Sequence, residues 1–143
     1  MKQLAGIYER KGTLFVQAEH KTKAGFWIAD EQVVSLRDPT NEALGQTIAE
    51  ALRRSQSDIP TPPPTARLDE PLLHAAEVAS WSTFMNGTRH VSVLRDDTSL
   101  SVTSYRNLGR KEGFEPGADL LLEYDLSATA LGQIVSDLIG RRA

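Results

Sequence analysis

The chain has 143 residues, of which 40% are hydrophobic and 24% charged, a balance typical of a globular protein with a buried core. It contains no cysteine, which excludes a disulfide framework, a thiolate zinc site and a cysteine nucleophile. The formal net charge of −3 makes a protein that must hold many phosphates a poor expectation.

The hydrophobic pattern favours neither export nor membrane insertion. The first ten residues lack the apolar core of a signal peptide, and no apolar run is long enough to span a bilayer. We therefore expect a cytoplasmic protein with no membrane partner, folded as a single domain over residues 1–143.

The first part of the chain predicts strands followed by a helix. After a turn at residues 10–12, apolar runs favour strands at 14–18, 26–29 and 33–36, with another turn at Asp30-Glu31. A helix should follow Thr40, which is a suitable N-cap. Its apolar residues recur at helical spacing, at Leu44, Ile48, Ala51 and Leu52.

A proline-rich segment separates this unit from the rest of the chain. Prolines at 60, 62, 63, 64 and 71 cannot enter a helix interior or a central strand. We expect residues 59–71 to form an exposed connector, with a binding motif for a partner domain as the alternative. Residues 72–79 fit either a short helix or an extended connector.

The second part repeats the order of strands and helix. Residues 91–94 and 100–105 flank a polar turn and predict a hairpin, and residues 117–124 predict a final strand. Ser127 can cap a closing helix whose apolar stripe includes Leu131, Val135 and Leu138.

The two parts are related by an internal repeat. When each residue from Asp38 to Arg54 is aligned with the residue 87 positions later, six of seventeen are identical. The pattern predicts an α+β fold of two pseudo-repeated antiparallel β-meander plus helix units, half-repeats 1–58 and 72–143. Both helices carry a glycine one turn in, Gly45 and Gly132, which predicts close packing against a strand or the sister helix.

Few residues could carry out chemistry. His20, His74 and His90 share no metal-binding or catalytic spacing, and His20 should be solvated in a turn. Asp96-Asp97 fits a charged hairpin tip better than a calcium loop. We therefore expect no enzymatic activity, no metal and no cofactor. The aromatic residues favour core anchoring, and the cluster at residues 81–85 could instead anchor a partner.

Charge is segregated in the second half. Residues 112–125 carry five acidic residues and no basic one, whereas residues 89–111 carry five basic residues and two acidic ones. The two stretches could pair across neighbouring strands, or one of them could face a charged partner.

Several short segments together resemble the immunity proteins of bacterial contact-dependent growth inhibition systems. They are residues 38–45, 51–55, 80–84, 89–93, 113–114 and 130–132. The resemblance implies a small cytoplasmic protein that neutralises the cognate C-terminal toxin domain of a CdiA-like exoprotein, commonly a nuclease. Some such immunity proteins are similar to the Whirly fold, which packs together two units of four strands and a helix.

The resemblance transfers no contact residues, so the predicted interface rests on charge. A nuclease site that holds phosphate is basic, and acidic residues would speed association with it. We therefore expect toxin binding at Glu112, Glu115, Asp119 and Glu123. The alternative is a Whirly-like module that binds single-stranded nucleic acid through Arg89, Arg106, Arg110 and Lys111. The net acidity makes nucleic acid the less favoured partner.

Overall fold

One antiparallel sheet of six strands contains both halves of the chain, in the order β3-β2-β1-β4-β5-β6. The structure is a computed structural model that describes residues 1–140, so the last three residues of the second half-repeat lie outside it. The strands are β1 Gln3–Arg10, β2 Thr13–Lys21, β3 Trp27–Arg37, β4 Arg89–Arg95, β5 Leu100–Asn107 and β6 Phe114–Leu122.

Each half contributes three consecutive strands and a helix, which confirms the α+β fold of two meander plus helix units. The first half ends in α1, Asn41–Arg54, and the second in α4, Ala128–Leu138. Between them lie two short helices, α2 Glu70–Ala75 and α3 Trp81–Met85. Each unit has three strands where the Whirly unit has four, so likeness to the Whirly fold is not confirmed.

The repeat is visible in the strand register. β1 and β4 pair antiparallel at the centre of the sheet, and Gly6 lies opposite Ser92. The register of the first half shifts between Gln17 and Glu19, and that of the second half shifts 86 residues further on, between Thr103 and Tyr105. Gly6 and Ser92 are also 86 residues apart, one fewer than the offset of 87 that aligns the two helices. Because these equivalent residues face each other, the axis that relates the two halves passes between them.

Both predicted helix caps are confirmed. The Thr40 side chain accepts a hydrogen bond from the Ala43 amide, and the Ser127 side chain accepts one from the Ala130 amide. Each satisfies an amide that the first helical turn leaves without a partner.

The glycine pair marks the crossing of α1 and α4. A Cβ on Gly45 would stand 1.7 Å from the Ala128 carbonyl oxygen, and one on Gly132 would stand 1.8 Å from the Asn41 carbonyl oxygen. Only glycine allows the backbones to approach so closely. The predicted close packing is therefore confirmed, and the contact is with the sister helix.

The main core lies between the sheet and these two helices. The fully buried side chains alternate along the strands, since every second residue of a strand points to the same face. They are Ala5, Ile7, Leu14, Val16, Val91, Val93 and Val102 from the sheet, and Leu44, Ile48, Leu52, Val135 and Ile139 from the helices.

The segment between α1 and β4 covers part of the other face of the sheet. Leu72 and Leu73 of α2 and Phe84 of α3 form a second buried cluster with Phe15 of β2. Residues 60, 61 and 63–65 are exposed, as the sequence predicts for the proline-rich segment. No helix within residues 1–140 is long and apolar enough to cross a membrane.

The structure differs from the sequence prediction at three places. Residues 3–10 form a strand for which the sequence analysis makes no prediction, and β6 begins at Phe114 rather than at residue 117. The turn expected at Asp30-Glu31 is instead a register shift within one long strand, β3. The Asp30 carboxylate stabilises the backbone at this register shift, because it accepts hydrogen bonds from the Arg54 side chain and from the Gln32 amide.

Candidate functional site

The two halves differ in what covers the sheet face opposite α1 and α4. On the first half, Trp81 packs on Phe84 with ring centroids 5.3 Å apart, and together they shield β1 and β2. On the second half, the corresponding surface carries small polar residues and an exposed edge strand. We call this surface of β5 and β6 the open face, and its residues are Ser101, Thr103, Asp119 and Leu121.

An aromatic stack separates the covered half from the open face. The Tyr8 and His90 rings are stacked with centroids 4.1 Å apart, and the His90 and Tyr105 rings are stacked at 4.3 Å. Phe114 lies against the stack, 4.9 Å from the His90 ring. The stack therefore crosses three neighbouring strands, β1, β4 and β5.

His90 is held in its neutral form. Its Nδ1 lies 2.9 Å from the Ile7 carbonyl oxygen, and because that oxygen can only accept, Nδ1 carries the proton. Burial lowers the pKa of His90 to about 4, although the bond to Ile7 acts in the opposite direction. The other ring nitrogen, Nε2, is therefore an acceptor at neutral pH.

Glu19 lies on the same face of the sheet as the stack. Its Oε2 is 3.3 Å from the place where a Gly6 Cβ would stand, and His90 and Tyr8 border the same place at 3.5 and 3.4 Å. Burial raises the pKa of Glu19 to about 7, and burial and the Glu19 charge raise the pKa of Tyr8. No pattern in the sequence indicates this site, because its residues come from three separate strands.

The predicted acidic residues do not form one patch. Glu112 precedes β6 and Glu123 follows it, so they lie roughly 30 Å apart at the strand's rise per residue. Asp119 is exposed on the open face and accepts a hydrogen bond from the Thr103 hydroxyl at 2.5 Å. Glu115 is bound to Arg106 at 2.5 Å, an ion pair across β5 and β6.

The predicted basic residues are partly engaged within the chain. Arg89 donates from Nη1 to the carbonyl oxygens of Ile139 and Gly140 and so caps the end of α4. With Arg106 bound to Glu115, two of the four predicted residues already have acceptors. The expected cross-strand pairing of the two charged stretches is thus confirmed for Arg106 and Glu115.

His20 is not solvated, contrary to the prediction. It lies on β2, where its Nδ1 accepts from the Gln56 amide at 3.0 Å and its Nε2 lies 2.9 Å from the Asp30 carboxylate. Burial opposes the charge on Asp30, but hydrogen bonds from His20 and Arg54 outweigh it and lower the Asp30 pKa. With both ring nitrogens engaged, His20 has no free nitrogen for proton transfer in this arrangement.

The other candidate residues have structural roles. Asp96 accepts from the amides of Thr98 and Ser99 at the predicted hairpin tip, and the Thr98 bond is the main reason that the Asp96 pKa is lowered. Phe84 and Met85 are buried, so the cluster at residues 81–85 contributes to the core. In the described part of the chain, no three His, Asp or Glu side chains are grouped to hold a metal.

Comparison with known proteins gives matches at the level of structure only. No protein-family model matches the sequence, and no curated protein matches it. A protein of unknown function from Neisseria meningitidis is 17% identical, with a TM-score of 0.81, and the match covers 100% of this chain and 96% of that chain.

The second solved structure belongs to a toxin system. A chain of the CdiA-CT/CdiI toxin and immunity complex from Yersinia pseudotuberculosis is 13% identical, with a TM-score of 0.77, and the match covers 100% of this chain and 98% of that chain. Identities this low establish a shared fold and nothing further. This chain thus shares its fold with a chain from a toxin and immunity complex, the kind of system that its short sequence segments resemble.

Proposed function

We propose that this chain is an immunity protein that neutralises the C-terminal toxin domain of a CdiA-like exoprotein by binding it one to one. The main support is the match over the full chain to a fold found in a toxin and immunity complex. The short segments that resemble immunity proteins are independent support, because they were identified from residues and not from shape.

The open face and strand β6 have the properties of a protein-binding surface. Leu121 on the open face is 72% exposed, and Tyr124 just beyond the strand is 50% exposed. Leu120, whose side chain points to the opposite face of β6, is 44% exposed. Large apolar side chains exposed along one edge of a sheet are typical of a surface that a partner covers. β6 is also an edge of the sheet, with one neighbouring strand only.

Charge supports the same surface. Asp119 is at its centre, and Glu112 and Glu123 extend the acidic character to both ends of β6. If the toxin is a nuclease, its active site must attract phosphate, and an acidic strand competes for the same positive field. Such a field raises the association rate, which matters for an inhibitor that must act before the toxin does.

The direct test first examines whether a large exoprotein is encoded immediately upstream of this chain, and then uses the C-terminal domain of that exoprotein as the toxin. Mixed one to one, the chain should abolish the activity of that domain, and coexpression should restore growth of cells that produce it. A toxin that remains fully active, or a chain that itself stops growth or turns over a substrate, would contradict the proposal. Tight, salt-sensitive binding of oligonucleotides in a fluorescence-anisotropy titration would favour the nucleic-acid alternative.

A further inference from the structure

The Glu19 carboxylate has no partner within the described residues. It accepts no hydrogen bond, and no Lys or Arg side chain lies within ion-pair distance of it. Every fully buried side-chain nitrogen or oxygen in residues 1–140 does have a partner, so the Glu19 oxygens must reach the surface. A partly buried carboxylate without a partner is costly, because burial removes water that nothing replaces.

The internal repeat shows what is missing beside Glu19. Tyr105 lies 86 residues after Glu19, and Ser92 lies 86 residues after Gly6. In the second half the hydroxyls of Ser92 and Tyr105 form a hydrogen bond of 3.0 Å. In the first half Gly6 offers no hydroxyl, so the carboxylate beside it remains without a donor.

A second acceptor without a partner lies on the other side of Gly6. His90 donates from Nδ1 to Ile7, and its Nε2 has no hydrogen-bond partner in the described chain. Glu19 and His90 therefore offer acceptors on one small surface, and neither has a donor. Two ligands are too few for a structural metal site, which takes three or four.

We propose that Glu19 and His90 receive an arginine or lysine side chain of a partner protein. A guanidinium group carries five N–H donors in a plane and can reach a carboxylate and a second acceptor together. Because Tyr105 joins His90 to the open face, a partner seated there can extend this side chain over the Tyr8 and His90 rings. The inference rests on the proposed function for the identity of the partner, which is then the toxin domain.

The first test measures the affinity of the upstream-encoded toxin domain for three forms of the chain. Glu19→Gln removes the charge while preserving shape, and we expect binding weaker by roughly thirtyfold or more. The control is Glu42→Gln, on α1 behind the sheet, which should bind as the wild type does. A Glu19→Gln chain that is folded by circular dichroism and binds with wild-type affinity would overturn the inference and leave the proposed function standing.

The second test does not need the toxin. Agmatine, a guanidinium group on an alkyl chain, is titrated into the wild type while the Glu19 side-chain carboxyl and the His90 ring are followed by NMR. We expect saturable shifts of both groups in the wild type, and none for His90 in Glu19→Gln. Absence of these shifts, or a saturable response to Zn²⁺ alone with none to agmatine, would overturn the inference. If the wild type fails to bind the toxin domain while agmatine binds, only the proposed function is wrong.

Discussion

Replacing Glu19 by Gln should stabilise the protein above neutral pH. Burial raises the pKa of Glu19 from 4.5 to about 7, so the native state holds this proton more tightly than the unfolded chain does. Stability from this group is therefore fully present below pH 4.5 and is lost as the pH rises towards 7. Gln resembles the protonated carboxyl at every pH, so the variant should keep this contribution to stability as the pH rises.

The size of the effect follows from the two pKa values. Moving a carboxyl pKa from 4.5 to about 7 corresponds to about 3 kcal/mol once the pH exceeds both values. His90 acts with the opposite sign, since burial lowers its pKa from 6.5 to about 4 and its contribution is lost as the pH falls between those values. In the wild type the two slopes largely cancel between pH 4.5 and 6.5, whereas in Glu19→Gln only the His90 slope remains.

Urea unfolding of wild type and Glu19→Gln, followed by circular dichroism from pH 4 to pH 8, measures this directly. We expect nearly equal stability at pH 4 and a variant more stable by about 3 kcal/mol at pH 8. Glu42→Gln, an exposed residue on α1, is the control and should show no such pH-dependent difference. A difference between variant and wild type that stays constant from pH 4 to pH 8 would refute the burial of an unpaired carboxylate.

Four further substitutions, one of them a control, test the fold and the proposed interface. Gly45→Ala should destabilise the protein by about 2 kcal/mol in urea unfolding, although alanine favours helices, because its Cβ would overlap the facing helix backbone; an unchanged or raised stability would contradict the helix crossing. Asp119→Lys should slow association with the toxin domain and reduce its salt dependence, whereas Glu115→Lys should alter both less, because Glu115 is already neutralised by an arginine; equal effects in stopped-flow kinetics would remove the open face from the interface. Asp30→Asn should lower stability by about 2 kcal/mol, because it weakens the charged hydrogen bonds from Arg54; a thermal melt that matches the wild type would contradict this.

The repeat could be predicted from sequence because the helices that carry it obey local rules. Thr40 and Ser127 are good caps, and apolar residues follow each at helical spacing. Glycine at the same place in both helices is locally unfavourable, so its recurrence indicated a tertiary reason. That reason is the helix crossing.

The strands were harder to predict because pairing decides them. β1 contains Gly6, which weakens a strand signal, yet β1 lies at the centre of the sheet, between β2 and β4. The sequence predicts a turn at Asp30, where the structure has a register shift in β3, because charged residues usually mark turns. Here the charge is satisfied by Arg54, which is far away in sequence.

The site could not be predicted, because nothing local distinguishes it. Glu19 was merely a neighbour of His20 in a charged segment, and His90 only preceded a strand. Their proximity depends on the β1–β2 and β1–β4 registers, which bring both beside Gly6. A residue without a side chain can thus create a site by leaving a neighbouring charge unsatisfied.

The asymmetry between the halves explains why one face of this fold is free to bind. Two equivalent units joined through β1 and β4 would present two similar faces on the side away from α1 and α4. The segment between α1 and β4 packs α2 and Phe84 onto the first of these faces, so the surface of β5 and β6 on the second half remains open. Glu19 belongs to the covered half, but its carboxylate lies beside Gly6, at the axis between the halves. A partner on the open face that extends a cationic side chain along the Tyr105 and His90 rings would reach this carboxylate, and pairing it would recover in the complex the cost that its burial imposes on the free protein.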